Sequence, residues 1–171
     1  MTAAETAQPL TRDTDAIAAL LDAVTDPEIP VLTLADLGVL RDVCWEGETL
    51  VIVITPTYSG CPAMQAMEAD ILETLHAAGY RDAEVRTRIA PAWTTDWLSE
   101  QGREKLRAYG IAPPARGFEK PCMESDRDLS VPCPRCESTD TSLVSRFGST
   151  ACKALYKCNA CLEPFDYFKC L

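Results

Sequence analysis

Four cysteines near the C-terminal end are paired as Cys133-Pro-Arg-Cys136 and Cys158-Asn-Ala-Cys161, with twenty-one residues between the pairs. A Cys-x-x-Cys turn directs two thiolates at one ion, and two such turns supply four tetrahedral sulfurs. Structural zinc is the expected occupant, although four cysteines also suit iron–sulfur chemistry. The residues between the pairs are long enough for a short hairpin, with Val144, Phe147, Leu155, Tyr156 and Phe165 available to cover it. So small a module has too little apolar core to fold unaided, so bound metal would supply much of its stability. Cys152 and Cys170 are spare thiols that rank below these four as ligands, and Cys122 has no assigned role.

A second candidate lies in Thr55-Pro-Thr-Tyr-Ser-Gly-Cys61-Pro62, which leads from an apolar strand into a helix. A thiol at a helix N-terminus meets unpaired N–H groups and the positive end of the dipole, which lower its pKa. Cys61 is then an activated thiolate able to bind metal or attack an electrophile. The bland alternative is a small residue packed under the loop. Asp26 and Glu28 stand at another element end and are candidates to support Cys61, but surface acids that terminate a helix are the ordinary reading. His76, the single histidine, sits near a helix end where the carbonyls attract it. Cys44, Trp93 and Trp97 read as packing residues.

Composition narrows the class. The 171 residues carry a formal charge of −10 and 47% hydrophobic residues, the balance of a globular protein. The 16 basic residues form no long run, which opposes nucleic-acid binding. No apolar stretch approaches the roughly 20 residues that span a bilayer, and no signal peptide is recognisable, so a cytoplasmic protein is expected. Nine cysteines in that compartment call for metal chemistry before disulfides, and six of them fall after residue 130.

The elements that must position these groups follow from periodicity. Ile17, Leu20, Leu21 and Val24 mark an amphipathic helix capped by Asp13 or Thr14 and stopped by Asp26-Pro-Glu-Ile-Pro30. Strands are expected over 37–45 and 50–55, with a turn at Glu46-Gly-Glu48; the run Val51–Ile54 marks the second as buried on both faces. A helix from Pro62 buries Met64, Met67, Ile71 and Leu75 and ends at Gly79. A third strand is expected over 84–90. A helix capped near Thr94, Thr95 or Asp96 then runs through Leu98, Leu106 and Tyr109 to Gly110. The expected fold is α+β: a tail over 1–15, a domain of about three strands and three helices over 16–112, a proline-bearing linker over 113–130, and a zinc-ribbon-like module over 131–171.

The runs DPEIPVLTLADLGVLRDV (26–43) and TPTYSGCP (55–62) resemble the small domain of the iron–sulfur assembly factors that include SufT. The runs PAWTTDWLSEQGREKLRAYGIAPP (91–114) and FGSTACKALYKCNACLEPFDYFKC (147–170) resemble the PaaD family, a component of bacterial phenylacetyl-CoA epoxidase systems. The resemblance implies an α+β domain whose reactive cysteine is Cys61, and a role in phenylacetate catabolism beside an oxygenase and a reductase. A di-iron oxygenase needs a pair of Glu-x-x-His motifs, impossible with one histidine, and a reductase's Gly-x-Gly-x-x-Gly is missing. The expectation is therefore a non-catalytic accessory protein that helps insert iron or an iron–sulfur cluster into the oxygenase or reductase component. Cys61 would be the transient ligand, alone or paired across a homodimer, with Asp26, Glu28 and Cys170 as supporting residues. The ribbon would be a structural or docking module. A non-catalytic scaffold of the epoxidase complex is the alternative. A thiol enzyme would need a base beside Cys61, and no histidine is suited to it.

Overall fold

The structure is a computed structural model that describes residues 10–114 and 130–169. Cys122 and Cys170 lie outside these residues, as do most of the expected tail and linker.

The N-terminal half opens with α1, Thr14–Leu21, whose cap is Asp13, its carboxylate accepting from the Asp15 N–H. Ile17 and Leu21 point inward, whereas Leu20 is 39% exposed and lies outside the buried stripe. A hairpin follows: β1, Leu40–Glu46, runs antiparallel to β2, Thr49–Ile54. The expected strand from 37 begins late because Thr33–Gly38 is folded into turns, with Leu37 N–H bonded to Thr33 O and Gly38 N–H to Ala35 O. The chain crosses over through α2, Met64–Ala77, to β3, Ala83–Thr87, which pairs parallel to β2. Pairing ends at Ile54↔Thr87, so β3 stops three residues short of its expected end. β2 is thus the central strand, and Leu50, Ile52 and Ile54 enter the core with Met67, Ile71 and Leu75 of α2.

Thr94 caps only a 3-10 turn, Thr95–Trp97, after which Leu98 is extended and Ser99 caps α3, Glu100–Tyr109. Gly110 closes α3 in the left-handed region. Tyr109 is 58% exposed, so Leu106 carries the apolar face alone at that end.

The C-terminal half is a second sheet in the order β4-β7-β6-β5. β5, Thr141–Ser145, and β6, Lys153–Cys158, form the expected hairpin, and β7, Pro164–Phe168, runs antiparallel to β6. β4, Ile111–Ala112, directly after α3, adds parallel to β7, so this sheet recruits chain from before residue 113. Its core is Tyr156, Phe165, Tyr167, Ala154, Val131 and Ala112 with two of the cysteines. Val144 and Phe147 do not cover it: they are 57% and 68% exposed, on and just beyond the edge strand.

The two halves share one core. Phe168 and Cys152 of the second sheet are buried among residues of the first domain. The Phe168 ring meets Trp93 edge-on at 6.2 Å, and Trp93 is itself anchored by its indole N–H on Leu37 O at 2.8 Å. Among the described residues, no helix is long and apolar enough to cross a membrane.

Candidate metal centre and thiol site

The two Cys-x-x-Cys turns converge. Cys133 and Cys136 sit in a turn before β5, whereas Cys158 ends β6 and Cys161 occupies the turn into β7. The four sulfurs lie within 4.8 Å of one another, with Cys133 to Cys161 at 3.8 Å and Cys136 to Cys158 at 3.5 Å. Zinc–sulfur bonds of about 2.3 Å in a tetrahedron set sulfurs about 3.8 Å apart, so the donor set fits zinc without rearrangement. Backbone donors prepare it: the Cys161 N–H reaches Cys158 Sγ at 3.4 Å and brings that thiol down to about 7. Cys136 accepts from the Ser138 N–H, but its sharing of protons with Cys158, Cys161 and Cys133 prevails and pushes it up to about 12. Cys133 and Cys158 are buried and Cys136 faces solvent.

Cys152 is no substitute ligand for this cage. Six steps along extended chain separate it from Cys158, about 20 Å at roughly 3.3 Å per residue. It lies instead against the N-terminal half, its Sγ 3.8 Å from Glu28 Oε2 and 3.0 Å from Thr150 Oγ1.

That contact opens onto the second site. Cys61 is half-buried, its N–H on Tyr58 O at 3.2 Å and its Sγ accepting from the Ala63 N–H and the Tyr58 hydroxyl. Asp26 and Glu28 are not detached surface acids. Asp26 is buried, its Oδ1 accepting from the N–H groups of Glu28 and Ile29 at 2.7 Å each, which folds the 26–32 loop around it. The carboxylates of both act on Cys61 and on Cys152. Burial pushes the Cys61 thiol up, and Glu28 and Asp26 push it further. The helix contribution is present as the Ala63 N–H, but α2 starts three residues on and that one donor, with Tyr58, does not offset burial among acids. The expected activated thiolate is therefore a thiol held in its neutral form. Burial likewise raises Asp26, against the Ile29 and Glu28 N–H groups and the charge of Lys153. Tyr58 is pushed up to about 12 by burial and by the charges of Cys61, Glu28 and Cys152.

The remaining expectations fall as follows. His76 is exposed in the last turn of α2. Cys44 is half-buried on β1, and Trp97 stacks on the Arg41 guanidinium at 3.6 Å. Sequence reasoning missed Tyr58, Lys153 and the placement of Cys152. The strand length from Cys158 was the one signal able to separate Cys152 from the cage.

Comparison with known proteins places both halves. Residues 14–86 match the family model described as an iron–sulfur cluster assembly protein, and residues 119–169 match the PaaD zinc beta ribbon domain. A crystal structure of the domain of unknown function DUF59 from Bacillus anthracis matches with 28% identity and a TM-score of 0.50, covering 54% of this chain and 90% of that one. An Escherichia coli (strain K12) protein provisionally named as the D component of 1,2-phenylacetyl-CoA epoxidase is 52% identical over 153 residues, 90% of each chain. An identity of that size over nine-tenths of both chains, with the PaaD zinc ribbon matched in this chain, shows that the chain belongs to the PaaD family, the D components of phenylacetyl-CoA epoxidase systems.

Proposed function

We propose that this chain is a maturation factor of the phenylacetyl-CoA epoxidase system, which receives iron or an iron–sulfur cluster and passes it to a partner, and which does not itself turn over the CoA ester. The observation that carries the reading is the contrast between its two thiol sites. The ribbon sulfurs, Cys133, Cys136, Cys158 and Cys161, close on one point, as suits a resident ion. Around Cys61 the carboxylates of Glu28 and Asp26 act on the thiol but are not drawn into a cage with it: among the described residues, only the ribbon gathers three or more metal-binding side chains within 4.8 Å. A loosely gathered donor set suits a cargo that must leave.

Zinc in the ribbon would be structural: it offsets half the charge of four converging thiolates and fixes the turns that carry them. The client is the oxygenase or the reductase component, and Cys61 is the transient ligand, with Asp26 and Glu28 shaping its charge. A reducing cytoplasm keeps these thiols free.

The test is to produce the oxygenase and reductase in cells with this chain, without it, and with Cys61→Ala. The partners are then purified free of it and their iron, sulfide and activity compared. Deficient metal in the latter two, not rescued by adding apo-protein, supports maturation and names the client by which component is deficient. Full metal in all three, with activity restored only when the protein is added back, identifies a scaffold instead.

A further inference from the structure

The two sheets of the described residues have four edge strands between them, β1 and β3 in the first and β4 and β5 in the second. An open edge exposes unpaired main-chain groups, and three of these edges carry the features that keep such an edge from pairing. β4 is two residues long, buried, and followed at once by Pro113 and Pro114, which have no N–H to give. β1 carries Arg41, Asp42 and Glu46, and β3 carries Glu84 and Arg86. β5 has neither charge nor proline in its sequence Thr-Ser-Leu-Val-Ser, and among the described residues it pairs on one side only, with β6. Its one irregularity, the bulge between Leu143 and Ser145, adds twist but removes no N–H group.

We infer that a second copy of this chain covers the β5 edge: two ribbons pair β5 against β5, antiparallel about a two-fold axis, and join their four-stranded sheets into one continuous sheet. The inference does not rest on the maturation reading and makes no use of Cys61.

Three observations select a second copy as the occupant. The first is the division of charge. Residues 10–114 carry seventeen acidic side chains against eight basic ones, whereas residues 130–169 carry four against five. Two copies that met through the first domain would bring acid against acid, and the ribbon is the part where like can meet like without that repulsion. The second is the pair of charges that bracket the strand. Asp140 stands just before β5 and Arg146 just after it, both exposed. Antiparallel pairing lays the start of one strand beside the end of the other, so Asp140 of each copy comes beside Arg146 of the other, once at each end. The third is apolar cover. Val144 on the strand and Phe147 just past it are 57% and 68% exposed, and a paired β5, itself uncharged, shields them without burying a charge. A contact made by so short a strand is small, so the dimer is reversible and depends on concentration.

The experiment is sedimentation velocity on the full chain with one equivalent of zinc, from low micromolar to submillimolar protein, with hydrogen exchange read at both extremes. The mass should rise from monomer to dimer, and the β5 amides should gain protection at high concentration while those of β1–β3 do not. Val144→Lys sets like charges together near the axis, and Arg146→Glu sets an acid beside Asp140; each should weaken dimerisation by about tenfold or more and keep its zinc. Mixing Arg146→Glu with Asp140→Lys restores opposite charges at both ends, so the mixture should dimerise at concentrations where neither variant does alone. A dimer indifferent to both Val144→Lys and Arg146→Glu overturns the inference by placing the contact elsewhere. A chain that stays monomeric throughout overturns it as well; β5 amides then protected only on adding the oxygenase or reductase component would assign the edge to a strand of that component. Because Val144 and Arg146 are exposed, neither substitution disturbs the core, and the unmodified chain decides the matter on its own.

Discussion

The Cys152 thiol donates to the Glu28 carboxylate at 3.8 Å, joining residues 124 positions apart and each from a different half of the chain. Phe168 is buried in the same core as Cys152, its ring edge-on to Trp93, and so wedges the second sheet against the first domain. Phe168→Ala removes that wedge. Deleting a buried aromatic typically costs about 3–5 kcal/mol, and here it should also free Cys152. Urea unfolding should show the loss, and alkylation of Cys152 under native conditions should accelerate while that of Cys44 does not. Unchanged Cys152 reactivity in a destabilised variant would mean that other contacts hold the halves together.

Removal of the ribbon metal should be felt beyond the ribbon. The four sulfurs take the place of an apolar core in this module, so metal binding and folding are one equilibrium there. A strong chelator, or Ser at Cys133, Cys136, Cys158 or Cys161, should melt β5–β7. Because β4 pairs with β7 and Phe168 belongs to the N-terminal core, the first domain should lose stability as well. Hydrogen exchange would resolve the two effects, and one equivalent of zinc should reverse those of the chelator. Protection of β1–β3 that stays unaltered after metal loss would show the halves to be energetically independent.

Cys61 should alkylate as an unactivated thiol. Burial first, then Glu28 and Asp26, raise it above its ordinary value, against the Ala63 N–H and the Tyr58 hydroxyl. The midpoint of its alkylation rate against pH should therefore lie above the free-thiol value of about 8.5, and Glu28→Gln should move it down by removing one negative charge. A midpoint below about 8.5 in the unmodified chain would restore the helix-activated thiolate.

Asp36 ties the loop that follows the Asp26 turn to α3. Its carboxylate accepts from the Thr33 N–H at 3.1 Å, the Ser99 hydroxyl at 3.1 Å and the Lys105 ammonium at 2.5 Å. Burial alone would raise its carboxyl, but Lys105, Thr33 and Ser99 together hold it below the usual range. A folded-state value below the unfolded one gives stability that is present above about pH 4 and lost as pH falls through the folded value. Asp36→Asn should cost about 2 kcal/mol at pH 7. The difference from the unmodified chain should shrink on acidification below about pH 4, measured by urea titration at each pH. A difference that does not vary with pH would assign the loss to packing alone.

The sequence was informative wherever the signal was local. The stripe Met67, Ile71, Leu75 placed α2, the run Val51–Ile54 placed the central strand, and two Cys-x-x-Cys turns located the metal centre without any tertiary knowledge. Signals that depend on remote partners were silent. Two residues of β4 become a strand because β7, more than fifty residues later, accepts them. Val144 and Phe147 looked like cover for a hairpin, yet β5 is the sheet's edge strand and both side chains stay exposed, on it and just beyond it. The same blindness applied to the site. Asp26 and Glu28 read as helix-ending acids with Cys61 as a candidate neighbour, and only the fold shows that the loop Asp26 nucleates sets Glu28 against Cys152.

Two glycines of equal backbone conformation should separate strain from contact. Gly38 and Gly47 have φ of +67° and +64°, in the left-handed region where a Cβ costs roughly 1–2 kcal/mol. At Gly47, in the β1–β2 turn, an added Cβ meets nothing within 4 Å, so Gly47→Ala should lose only that strain and Gly47→Asn less. At Gly38 the same Cβ would stand 2.5 Å from Trp97 O and 2.7 Å from Trp97 Cβ, both part of the 3-10 turn that leads into α3. Gly38→Ala must therefore push apart the Thr33–Gly38 turns and the Thr95–Trp97 turn, and should lose clearly more stability than Gly47→Ala. The displacement should be read by two probes: urea midpoints for the energy, and fluorescence of Trp97, which the Arg41 guanidinium covers. Equal losses in the two variants, with Trp97 emission unaltered, would mean that the turn yields freely and that the close approach at Gly38 contributes nothing to the placement of α3.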